Sequence, residues 1–136
     1  MKTLFTSLIV LLFSIALNAQ ETFTLKVTVN NAKSDEGKMV YSLNTEEQFM
    51  KAAPLQAASM EITDGIAIAT FKNVPTGDYA VMVLHDKNSN EKMDFSDQGR
   101  PAESYGMSNN PMSYGPPTWA DAKFTVEAHK EIIVRL

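Results

Sequence analysis

Between Thr22 and Asn30 every second residue is apolar: Phe23, Leu25, Val27 and Val29 fall on one side of an extended chain, and Thr22, Thr24, Lys26 and Thr28 on the other. A period of two puts these sets on opposite faces of a β-strand, so the stretch buries one face and leaves the other to water. Lys38 to Leu43 repeats the pattern with Met39, Tyr41 and Leu43. Ser59 to Thr63 and Ile66 to Phe71 flank Asp64-Gly65, a pair suited to the positive φ angles of a two-residue hairpin turn. Val74-Pro75-Thr76-Gly77-Asp78 then turns into Tyr79 to Leu84, a run apolar on both faces and therefore expected at the centre of a sheet. Lys123 to Glu127 and Glu131 to Leu136 follow around a turn at Ala128-His129-Lys130. The helical signal is confined to Thr45-Glu46-Glu47-Gln48, a capping box worth a turn or two before Pro54 ends it. Seven strands with turn punctuation predict an all-β fold: a single antiparallel β-sandwich of immunoglobulin-like or transthyretin-like kind.

The first 19 residues carry a different message. Met1-Lys2 gives a positive start, Leu4 to Leu17 is an apolar run too short for a comfortable membrane span, and Asn18-Ala19-Gln20 offers a small residue for cleavage. This predicts a signal peptide over 1–19 and an exported domain, periplasmic or secreted, over 20–136. The chain has no cysteine, so neither disulfides nor a thioether lipid anchor is available despite that destination. Core burial or a bound metal must stabilise it. The 117 residues from Gln20 onward suit one domain, and their 11 basic and 16 acidic residues give a formal charge of −5. A mildly acidic surface without a basic run argues against nucleic acid and anionic lipid as partners, and no membrane insertion is expected after cleavage.

Residues 86–120 form a 35-residue stretch with little periodicity and many glycines and prolines. A loop of that length in a small domain is expected to be functional or held by something. Its first residues propose what holds it. Counting from Asp86, oxygen-bearing groups fall at loop positions 1, 3, 5, 7, 9 and 12: Asp86, Asn88, Asn90, the carbonyl of Lys92, Asp94 and Asp97. This is the alternation with which a helix-loop-helix calcium hand wraps a Ca²⁺ ion. Two departures stand out. Position 6 is Glu91 where glycine usually makes the sharp turn, and position 12 is Asp97, shorter than the usual bidentate glutamate. Three carboxylates and two amides predict a weak, structural site. The competing reading is that Asp and Asn simply favour turns.

Val74-Pro75-x-Gly77-x-Tyr79-Ala80, then His85-Asp86-x-Asn88-x-Asn90-x-x-x-Asp94, then Gly99-x-Pro101-x-Glu103-x-Tyr105-Gly106-x-Ser108-Asn109-Asn110 and Gly115-Pro116-Pro117 together resemble the exported bacterial family catalogued as domain of unknown function (DUF) 2141. The likeness covers almost all of the mature chain. In that family the sixth loop position is commonly glycine and a phenylalanine usually follows Tyr-Gly, where this chain has Glu91 and Met107. The resemblance implies the fold and the export, and brings no activity with it.

Catalytic machinery is not apparent. There is no cysteine nucleophile, no Gly-x-Ser-x-Gly elbow and no phosphate-cradling glycine loop. His85 lies in line with Tyr79, Val81 and Val83 and reads as a structural histidine. A transthyretin-like hydrolase would need it to open into a polar pocket beside Arg100 or Arg135, and the ending Ile133-Val134-Arg135-Leu136 lacks the Tyr-Arg-Gly-Ser close of those enzymes. A non-enzymatic reading follows. Phe95, Tyr105, Tyr114 and Trp119 in the long loop either plug it onto the sheet or, with Tyr105, Tyr114 and Trp119 exposed, present a surface for a protein, peptide or glycan. Tyr79, two residues past Gly77, is placed to cap its own turn through its phenol, as in a tyrosine corner. The expectation is an exported binding or adhesion-type module with a structural Ca²⁺ site. The alternative is a purely structural or stress-related periplasmic protein.

Overall fold

The computed structural model describes residues 19–112 and 115–136, so the signal peptide expected over 1–19 lies almost wholly outside the described residues. Eight strands follow in order: β1 (Thr22–Val29), β2 (Lys38–Asn44), β3 (Gln56–Met60), β4 (Ala67–Pro75), β5 (Gly77–Asp86), β6 (Tyr105–Met107), β7 (Phe124–Val126) and β8 (Lys130–Ile133). A four-residue helix, α1 (Trp119–Ala122), precedes β7. The strands make two sheets. One has the order β4-β1-β8; the other runs β3-β2-β5-β6, with β7 also paired to β5.

The period-two pattern explains how they stack. Leu25, Val27 and Val29 of β1 and Ala69 and Phe71 of β4 face Met39, Tyr41 and Leu43 of β2 and Val81 and Val83 of β5 in one shared, buried core. The Tyr41 phenol is buried within this core, with the Val29 backbone as its one polar neighbour, and His85 closes the same β5 face as a buried polar group. Tyr79 sits at the core's edge and donates from its phenol to the Pro75 carbonyl at 2.7 Å, closing the turn between β4 and β5 as expected of a tyrosine corner. The apolar run 79–84 is the central strand: β2 pairs along one side, while β7 and β6 lie end to end along the other.

Three expectations need correction. The Asp64-Gly65 turn forms, with φ of +53° and +76° and both Thr63–Ile66 backbone bonds. The hairpin, however, stops at that single bridge, because β3 pairs with β2 and β4 pairs with β1 in the other sheet. The turn therefore links sheets, and the Asp35 carboxylate holds it by accepting from the N–H groups of Asp64 and Gly65. Likewise β7 and β8 do not pair with each other; β8 crosses to run parallel to β1, so the fold is not wholly antiparallel. Thr45 to Ala52 makes the turn or two expected, with the Phe49 N–H bonded to the Thr45 carbonyl and the Ala52 N–H to the Gln48 carbonyl, and Gln48 reaches back to the Thr45 N–H at 3.1 Å as a capping box should. Finally, the stretch 86–120 is not all loop: β6 and the start of α1 lie within it, bringing the strands to eight.

Candidate functional site

The outer face of the five-stranded sheet is where the molecule departs from an ordinary sandwich. The alternation that turns Met39, Tyr41, Val81 and Val83 inward turns Val40 and Ser42 of β2 and Met82 and Leu84 of β5 outward. Those side chains, with Tyr105 of β6, floor a groove of about 600 Å³. Its walls are Met50 from the turn after β2, Met93, Phe95 and Pro101 from the loop after β5, and Gly115 to Pro117. Among the described lining side chains only Ser42 and Tyr105 carry a nitrogen or oxygen atom. Phe95 is 63% exposed and Met50 is 62% exposed, which for large apolar groups facing one depression is a costly arrangement without an occupant. Its size falls within the usual range for small-molecule sites.

One wall of the groove is built by the Asp86 loop. Asp86 ends β5 fully buried; its carboxylate accepts from the Asn90 N–H at 3.2 Å and the Glu91 N–H at 2.7 Å. The Asn88 side-chain oxygen takes the Asn90 N–H at 3.3 Å, and that of Asn90 takes the Lys92 N–H at 3.0 Å. These bonds coil the chain, and Ser89 and Glu91 enter the left-handed region with φ of +56° and +61°. Glu91 thus adopts the conformation that a glycine would supply at the sixth position, in spite of its Cβ. Asp94 then faces back across the coil. Its carboxylate accepts from the Asn88 amide at 2.6 Å and from the Asn90 amide at 3.0 and 3.2 Å.

The residues expected at the cation loop separate into two groups. Asp86, Asn88, Asn90 and Asp94 converge, with the Lys92 backbone tied to Asn90. Asp97 stands exposed in the turn closed by the Gly99 N–H and Ser96 carbonyl. Among the described residues no three acidic, histidine or cysteine side chains are grouped closely enough to hold a metal ion. Oxygens for a hard cation would come from the mixed set of carboxylates, amides and carbonyls. As they stand, the Asn88 and Asn90 oxygens are committed to backbone N–H groups and their amide N–H groups face Asp94.

Of the aromatic surface, Tyr105 and Phe95 reach the groove. Trp119 does not: it is half-buried, edge-on to Phe49 at 6.0 Å, in a small cluster with Ala80, Met107 and Ala122. Tyr114 lies outside the described residues. His85 is buried, with Nε2 at 2.8 Å from the Glu36 carbonyl. Sequence reasoning missed the groove floor. Its signal was present in Met82 and Leu84, the second apolar face of a strand whose first face already fills the core. Ser108 is buried and accepts from the Val81 N–H at 3.0 Å while donating to the Ala122 carbonyl, which fastens α1 to the sheet.

A family model described as "Uncharacterized protein conserved in bacteria (DUF2141)" matches residues 27–134. No curated protein and no solved structure matches the chain. Among the described residues no helix is long and apolar enough to cross a membrane.

Proposed function

The chain belongs to this bacterial DUF2141 family, and we propose that it is an exported, non-catalytic binding module that holds an apolar chain in the groove over its five-stranded sheet. The observation that carries this reading is the lining itself: three methionines, Leu84, Phe95, Tyr105 and three prolines around a volume with almost no polar side chain. A glycan would find few hydrogen-bond partners there. An extended peptide would fare little better, because the floor is the face of a sheet whose N–H and C=O groups are already committed to the β2–β5 and β5–β6 ladders. A hydrocarbon chain needs no such partners. Methionine and aromatic walls adapt to its shape.

The Asp86 loop supports the second half of the proposal, a structural Ca²⁺ bound by Asp86, Asn88, Asn90 and Asp94. Met93 and Phe95 flank Asp94 in sequence and wall the groove, so a cation that fixed Asp94 would also fix the groove's rim. At a free Ca²⁺ concentration about a hundredfold above Kd, linkage adds about 2.7 kcal/mol of stability. The two-sheet architecture and the Tyr79–Pro75 bond support placing the domain among the immunoglobulin-like or transthyretin-like sandwiches.

Titration with a fluorescent long-chain fatty acid tests the binding reading. Saturable uptake by the wild type and its loss in Leu84→Glu, with the melting temperature preserved because Leu84 lies on the outer face, is the expected result. Equal uptake by both proteins would place the ligand elsewhere and refute it.

A further inference from the structure

We infer that Met50 and Met93, in the walls of the groove, form an oxidation site that switches its hold on an apolar chain: the thioethers bind and the sulfoxides release. The inference rests on the binding reading above and adds a regulation of the same site. Met50 carries the argument. The turn after β2 is closed by the N–H groups of Lys51 and Ala52, both donating to the Gln48 carbonyl at 3.0 Å. Within it Met50 takes φ of +59°, a left-handed conformation unfavourable for a residue with a Cβ. Its neighbour Phe49 is 4% exposed and packs edge-on to Trp119, whereas Met50 lines the groove and is 62% exposed. A strained backbone thus presents a large apolar side chain to water at the mouth of the site, and such strain clusters where residues function.

The chemistry of the lining points the same way. Met93 walls the groove from the loop after β5 and is half-buried, and Met82 lies on the floor. The chain has no cysteine, so methionine is the only sulfur that an oxidant can reach. The oxidant is a hydroperoxide. The thioether lone pair attacks a peroxide oxygen, the S–O bond forms as the O–O bond breaks, and hydrogen peroxide leaves its second oxygen as water. Sulfur loses two electrons and the peroxide gains them.

The product is a polar sulfoxide where an adaptable apolar group stood. Little in the groove can pair with it. Ser42 and Tyr105 carry the only nitrogen or oxygen among the described lining side chains, and Ser42 Oγ already accepts from the Asn44 amide at 3.1 Å. A sulfoxide facing the bound chain is left unpaired, which weakens binding. One that turns to water withdraws the wall.

Uptake of a fluorescent long-chain fatty acid before and after hydrogen peroxide treatment, with peptide mass spectrometry to place the sulfoxides, tests this in the wild type and in the double variant Met50→Leu, Met93→Leu. The readout is the ratio of affinities before and after treatment within each protein, so any change made by the substitutions cancels. Met112, fully exposed outside the groove, and Met39, buried in the core, serve as references. We expect oxidation of Met50 and Met112 with Met39 spared, and a loss of wild-type affinity of about tenfold or more. A methionine sulfoxide reductase should restore it, bound fatty acid should shield Met50 and not Met112, and the double variant's ratio should stay near one. No uptake by the untreated wild type would overturn the binding reading itself. Unchanged wild-type affinity once Met50 is oxidised, an equal loss in the double variant, or a Met50 that stays reduced while Met112 is oxidised would overturn the switch alone.

Discussion

Glu91→Gly should stabilise the protein, and the size of the gain follows from one torsion angle. Glu91 holds φ at +61°. In that region the Cβ crowds the following carbonyl oxygen, at a cost of about 1–2 kcal/mol. Glycine removes the clash but brings a more mobile unfolded chain, which returns about 0.5–1 kcal/mol. Nothing else is forfeited. The Glu91 side chain is exposed and makes no hydrogen bond or ion pair with another described residue, and its bond to Asp86 comes from the backbone N–H. The net gain is about 0.5–1 kcal/mol. For a domain of 117 residues this raises Tm by about 2–5 °C. Urea and thermal unfolding in chelator isolate this backbone contribution from any cation. Glu91→Ala keeps the Cβ and serves as the control; it should show no such gain. If Glu91→Gly melts at or below the wild type, or if the alanine variant gains as much, left-handed strain at this position is not what limits the loop.

Two further substitutions probe the sandwich. Tyr41→Phe removes a buried phenol oxygen that has only the Val29 backbone beside it and no well-formed hydrogen bond, and should be neutral to stabilising by about 1 kcal/mol near pH 7 in denaturant unfolding; a loss of stability would show the hydroxyl to be satisfied. Burial raises the Tyr41 and Tyr79 phenols above their ordinary value, so the neutral forms favour the folded state. That stability is present in full below pH about 10 and is lost as pH climbs through the raised folded-state values. The alkaline decline in Tm should therefore be shallower in Tyr41→Phe, and an unchanged slope would contradict the assignment. Gly106→Ala drives a Cβ into the Arg135 carbonyl and against the Val134 side chain, where the chain end packs on β6. It should cost about 1–3 kcal/mol, read as a fall in Tm, and a silent substitution would mean that the chain end is not docked there.

How far the sequence discloses this molecule depends on what each residue can signal locally. Alternation disclosed the strands because period two is a property of neighbours: Phe23 to Val29 and Met39 to Leu43 needed no partner to be read. Pairing was less legible. The Asp64-Gly65 turn has its expected positive φ angles, yet the strands on either side belong to different sheets, since β3 finds β2 and β4 finds β1. Turn chemistry fixes two residues and says little about the next six. The parallel β1–β8 contact is a similar case, made between ends of the chain more than a hundred residues apart. At the site, Asp86, Asn88, Asn90 and Asp94 were found because their spacing encodes one coil. Met82 and Leu84 lay in plain view, but a strand apolar on both faces reads as fully buried until one face is seen to be open.

The most direct test of the binding reading is methyl NMR of the protein labelled at its methionines and titrated with a long-chain fatty acid. Met50, Met82 and Met93 line the groove, whereas Met39 is locked in the core between the sheets. The account predicts that the first three resonances shift together and saturate while Met39 stays in place. Shifts confined to other methionines, or none at concentrations that saturate ordinary lipid-binding proteins, would contradict it.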